Sequence, residues 1–152
     1  MSIREVGGGL NKGGVLVPCV PTSAFKTALD AMYVAETEIV GTMVYLTFLN
    51  NNEVGQATDG MSIDGYIEAY VKDNTATGYT LTVRILHYWD KDGVRHACHD
   101  VGEYNYSGSP ALKDYVVVDA DANFTVAPGS TYGDGAVFSI HTTNSTVLVL
   151  MD

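Results

Sequence analysis

Across residues 64–100, apolar and polar side chains alternate more regularly than anywhere else in the chain, and a period of two builds a sheet, not a helix. Ile67, Ala69 and Val71 alternate with Tyr66, Glu68, Tyr70 and Lys72. After the turn KDNTATG, Leu81, Val83, Ile85, His87 and Trp89 alternate with Thr80, Thr82, Arg84, Leu86 and Tyr88. This run meets Asp90-Lys91-Asp92-Gly93, in which Asp-Gly is a strong hairpin signal, so residues 94–98 are expected to pair back. The stretch predicts a three-strand meander in the middle of an antiparallel sheet.

Upstream, residues 2–14 hold five glycines and few core-forming side chains, too little apolar area to offset their own ordering. They read as an arm. It is no nucleotide site: counted from Gly7, the pattern G-x-G-x-x-G needs glycine where Lys12 stands. Beyond the extended segment GVLVPCVP, the residues Phe25, Ala28, Leu29, Met32 and Tyr33 fall on one helical face, with Thr22 or Ser23 as N-cap. EIVGTMVYLTFL then reads as a strand and NNNEVGQATDGMS as a loop.

Downstream, VGEYNYSGSPALKD is too polar and turn-rich for a strand of any length, and it exceeds the usual hairpin loop. Short strands are expected at residues 115–118, 123–126, 136–141 and 147–151, with residues 142–145 as a hairpin loop. The fold class that follows is mainly β: an antiparallel β-sandwich or barrel-like domain at residues 15–152, with one short N-terminal helix and an extended Gly-rich arm at residues 1–14.

Charge narrows the function. With 18 acidic residues against 8 basic ones the net charge is −10, and the basic residues are scattered, which disfavours phosphate backbones and hence nucleic acid. No apolar run approaches the roughly 18 residues needed to cross a bilayer, and no signal-type apolar segment follows Met1. Two cysteines, Cys19 and Cys98, are too few for a disulfide framework, so folding in a cytoplasm is expected.

Ligand-type side chains are densest at His96, Cys98, His99 and Asp100, with His87 across the expected hairpin. On an extended strand His96 and Cys98 share a face and His99 points away, which is one pair where zinc sites use two; the expectation is a strand with a buried cysteine and rim histidines, and no metal. Asp119-Ala-Asp121-Ala-Asn123 opens like an EF-hand loop, but Phe124 stands where glycine belongs and Ser130 where glutamate belongs. A nonstandard calcium set would use Asp119, Asp121 and Asp134; a solvated acidic turn is the simpler expectation. No G-x-S-x-G is present, and Cys98 between histidines is the one candidate for an activated thiol. Neither catalysis nor a cofactor is expected.

Tyr104, Tyr106 and Tyr132 fall in expected loops, where exposed rings stack on sugars or anchor a protein interface; Trp89 is a further stacking candidate. The arm at residues 2–14 and the segment APGSTYGDGAVFSI at residues 127–140 resemble small structural proteins of tailed-bacteriophage virions, most of all head decoration (cement) proteins. That resemblance implies a non-enzymatic, β-rich virion protein, made in the host cytoplasm. It would dock on the major capsid protein or another virion protein as a homo-oligomer, a trimer favoured, with a terminal arm that orders on the shell. Ile3, Val6 and Leu10 of the arm, with Tyr104, Tyr106 and Tyr132, are the expected partner-binding residues. The alternative is a carbohydrate- or receptor-binding β module of a phage fibre or tail.

Overall fold

In the computed structural model, which describes residues 13–127 and 135–152, the alternating stretch is divided between two compact units. One unit holds the described residues up to Thr47 together with Asn52–Leu86. The other holds Phe48–Asn51 and the described residues of His87–Asp152. The chain is mainly β, with one helix among the described residues.

The first unit consists of β1 (Val15–Pro21), α1 (Ser23–Val34), β2 (Met43–Leu46), β3 (Glu53–Gln56), β4 (Gly65–Lys72) and β5 (Tyr79–Ile85). The strands close into a barrel in the order β1-β3-β2-β4-β5, antiparallel throughout except where β1 runs parallel to β3. Val17, Cys19, Val44, Leu46, Val54, Ile67, Leu81, Val83 and Ile85 are buried. The helix starts where the sequence places it: the Thr22 hydroxyl accepts the Phe25 N–H at 3.1 Å, capping the first turn. Phe25 and Leu29 of the expected stripe are buried, and α1 lies against β1 and β3. Tyr33, at the end of that stripe, is exposed.

Three expectations for this unit are corrected. The strand expected over residues 38–49 is confined to β2, because Gly41 and Phe48 adopt positive φ and turn the chain at both ends. The expected loop after it contains β3, whose Gly55 lies beneath the Tyr45 ring of the facing strand; a β-carbon there would come 2.4 Å from the ring. In β4 the register with β5 slips between Ile67 and Ala69, so Glu68 is the extra residue of a bulge. One extra residue inverts the faces beyond it. Ile67 is buried, but Ala69 and Val71 are exposed, and Tyr70 turns toward the Tyr79 ring with centroids 6.4 Å apart.

The meander is corrected as well. β5 ends at Ile85, and the Leu86 N–H donates to the Asp64 carbonyl. The next strand, β6 (His87–Trp89), pairs only with β7 (Arg95–Ala97) in a two-stranded ribbon of the second unit, with its alternation shifted so that Tyr88 is the buried residue. The Asp-Gly hairpin expected between them is present, and Gly93 takes a positive φ there.

The rest of the second unit is β8 (Asp100–Asn105), β9 (Tyr115–Val118), β10 (Phe124–Val126), β11 (Gly135–His141) and β12 (Thr146–Met151). They form one antiparallel sheet in the order β10-β9-β11-β12-β8. Val116, Phe124, Val137, Val147 and Val149 make its core, with Tyr106, Leu112, Ile140 and Met151 packed around them. The segment Phe48–Asn51 belongs here: the Phe48 ring meets Phe138 edge-on at 5.7 Å, and the Asn51 amide exchanges hydrogen bonds with the main chain of Ile140. β8 corrects the expectation that residues 101–114 contain no strand. An edge strand has a neighbour on one side only, so β8 tolerates a polarity that would exclude it from the middle of a sheet.

Candidate functional site

The densest constellation of ionisable groups forms where the hairpin signal and the histidine cluster meet. The Asp90 carboxylate folds back over its own turn, and its Oδ1 accepts the N–H groups of Asp92 and Val94 at 2.8 and 2.9 Å. Its Oδ2 lies 2.6 Å from Nε2 of His96 on β7. On the other side of the ring, Nδ1 meets Oδ2 of Asp152 at 3.0 Å, and the Tyr88 ring stacks on the imidazole at 5.4 Å. Below this group the Tyr115 hydroxyl donates to Asp92 at 2.7 Å, and the Lys91 ammonium sits 4.5 Å above the Tyr115 ring.

Charge follows geometry. Burial pushes the His96 pKa down, but the hydrogen bonds and charges of Asp152 and Asp90 outweigh it, and the net shift is upward. For Asp90, burial raises the pKa; the N–H donors of Val94 and Asp92 and the His96 ring outweigh it and hold the carboxyl below its ordinary value. With a carboxylate oxygen beside each ring nitrogen, the arrangement favours an imidazolium that donates to both. Both ring nitrogens are engaged, which leaves His96 neither a lone pair for a metal nor a free base for proton abstraction.

The other chemical candidates are likewise absorbed. Cys98 is buried, burial pushes its thiol up to about 12, and Sγ donates to the Asp100 carbonyl at 3.6 Å. Such a thiol stays protonated at neutral pH. His99 is exposed, and His87 pairs through Nδ1 with Arg95 at 3.2 Å, with burial lowering its pKa. Among the described residues no three His, Cys, Asp or Glu side chains are placed to hold a metal. Asp119 Oδ1 accepts the N–H groups of Asp121 and Asn123, and its Oδ2 accepts the Ser107 hydroxyl at 2.6 Å, which lowers its pKa. It caps a turn. Asp121 is exposed, and Asp134 lies outside the described residues.

Tyr104 and Tyr106 occupy different settings. Tyr104 is on β8, 38% exposed, with its ring edge-on to Phe124 at 4.5 Å and folded back over Gly102. Tyr106 is half-buried against the core cluster. Trp89 is 37% exposed on β6. Tyr132, and the arm residues Ile3, Val6 and Leu10, lie outside the described residues.

Three features were invisible to sequence reasoning. Asp152 lies 56 residues from His96, so no spacing rule joins them. The outer edge of β8 exists because the stretch is a strand. Open grooves of the first unit include one of about 500 Å³ lined by Tyr33, Glu36, Glu38, Ile39, Val40 and Tyr70, and one of about 570 Å³ around Met43, Gln56, Thr58, Met61 and Ile63. No described helix is long and apolar enough to cross a membrane. The chain matches no protein-family model, no curated protein and no solved structure.

Proposed function

We propose that this chain is a non-enzymatic structural protein of a virion, most like a head decoration (cement) protein, which acts by docking on a major capsid protein or another virion component as a homo-oligomer. The observation that carries the reading is how the second unit distributes its chemistry. Asp90, His96, Cys98 and Asp119 each close an internal contact, whereas Trp89, Val94, Tyr104, Val118 and Val126 face solvent. A surface of apolar anchors, with Asp90, His96, Cys98 and Asp119 held in internal contacts, suits binding better than turnover. The sequence resemblance of the arm and of residues 127–140 supports the same class.

In this reading the arm supplies affinity. It adds main-chain hydrogen bonds to a neighbour's strand edge, and repetition on a lattice converts weak single contacts into stable attachment. The test is deletion of residues 1–12, which spares Gly13, whose carbonyl accepts the Arg84 guanidinium at 3.0 Å. The shortened chain is expected to fold and to lose association.

The second reading, a carbohydrate-binding module, rests on the exposed rings of Tyr104 and Trp89. Saturable binding on a glycan array, lost in Tyr104→Ala or Trp89→Ala, would favour it over the first.

A further inference from the structure

The open side of β8 has the geometry of an unfilled strand position. Among the described residues, β8 pairs as a ladder with β12 alone. The Tyr106 N–H donates to Ser145 at 3.1 Å, which fixes the phase of the ladder: the main-chain groups of Gly102 and Tyr104 face β12, and those of Val101, Glu103 and Asn105 face away. The Val101 N–H is held at 2.8 Å by the Asp100 carboxylate. At the far end the sheet curls until β10 touches this side at one bridge, Tyr106 to Phe124. Between those stops lie the Val101 carbonyl, both main-chain groups of Glu103 and the Asn105 N–H, the set one added strand of about five residues would engage.

We infer that this edge takes residues 2–6, Ser-Ile-Arg-Glu-Val, from the arm of a second copy as an added strand. The inference rests on the arm-docking reading above and gives it a partner and a surface. Residues 2–6 are five in number, include the β-branched Ile3 and Val6, and are followed in sequence by three glycines. Their charge fits. Arg4 and Lys12 outnumber Glu5 in the arm, opposite in sign to a chain of net charge −10, and the β8 edge carries Asp100 and Glu103. Strand alternation makes the fit specific: with Arg4 on the face of Glu103, Ile3 falls on the opposite face, that of Tyr104. The half-exposed Tyr104 ring, pinned by Phe124 and Gly102, then becomes the apolar contact for Ile3.

Self-association of the full chain, measured by sedimentation equilibrium, tests this with four variants: Arg4→Glu, Glu103→Arg, the two combined, and Glu103→Pro. Proline at 103 removes an N–H that points away from β12, so the internal ladder survives, and thermal melting checks that it does. Arg4→Glu and Glu103→Pro are each expected to weaken association about tenfold or more, and the charge-swapped double variant to recover most of it. Wild-type association by Glu103→Pro, no recovery in the double variant, or a full chain that stays monomeric at every concentration would overturn the inference. If deletion of residues 1–12 abolishes association while Glu103→Pro leaves it intact, the β8 assignment falls and the arm reading stands. If the deletion changes nothing, both fall.

Discussion

Nε2 of His96 lies 2.6 Å from Oδ2 of Asp90, a residue only 3% exposed, and that contact ties β7 to the turn that precedes it. The His96 pKa is raised, so its contribution to stability is complete below the ordinary imidazole value and is lost as pH rises through the higher folded value. Asp90 is shifted the other way, so its contribution is present above the ordinary carboxylate value and is lost as pH falls through its lowered folded one. Stability is therefore expected to be greatest in mildly acidic solution. His96→Ala should cost about 3 kcal/mol at pH 6 and less at pH 9, read by urea denaturation at both pH values. Asp152→Asn, at a site 47% exposed on the carboxylate side, should cost under about 1 kcal/mol.

The Tyr104 ring depends on the missing side chain of Gly102, since a β-carbon there would stand 2.4 Å from the ring. Gly102→Ala is expected to displace the ring from Phe124 and to destabilise by about 1–2 kcal/mol. In a Tyr104→Ala background the same change should cost much less. The double-mutant cycle, measured by chemical denaturation, isolates that coupling.

Neither cysteine is expected to react in the folded chain. Both are buried and both thiols are shifted upward by burial, Cys98 to about 12. Iodoacetamide labelling followed by intact mass should show no adduct at pH 8 until denaturant is added. Fast labelling of native Cys98 would instead restore the activated-thiol reading.

The helix cap gives a simple check on the first unit. Thr22→Ala removes the acceptor of the Phe25 N–H and should cost about 1 kcal/mol, while Thr22→Ser should cost little. Thermal melts of the two variants side by side make the comparison.

The features legible in the sequence are those set by local rules. The Thr22 cap, the Phe25 and Leu29 positions, the Leu81-Val83-Ile85 face and the Asp-Gly turn each depend on residues within a few positions of one another. The illegible ones depend on partners. β8 is polar because it is an edge, β3 holds a glycine because Tyr45 covers it, and the bulge at Glu68 reverses an alternation that reads as unbroken. The His96 contact with Asp152 joins residues that only the folded sheet brings together.

If the arm joins copies of a folded β scaffold, as we propose, sedimentation velocity must distinguish the full chain from the chain lacking residues 1–12. The expected result is a species near three times the 16.3 kDa chain mass for the full chain, and a shortened chain that melts normally but sediments as a monomer. Identical sedimentation of the two would contradict it.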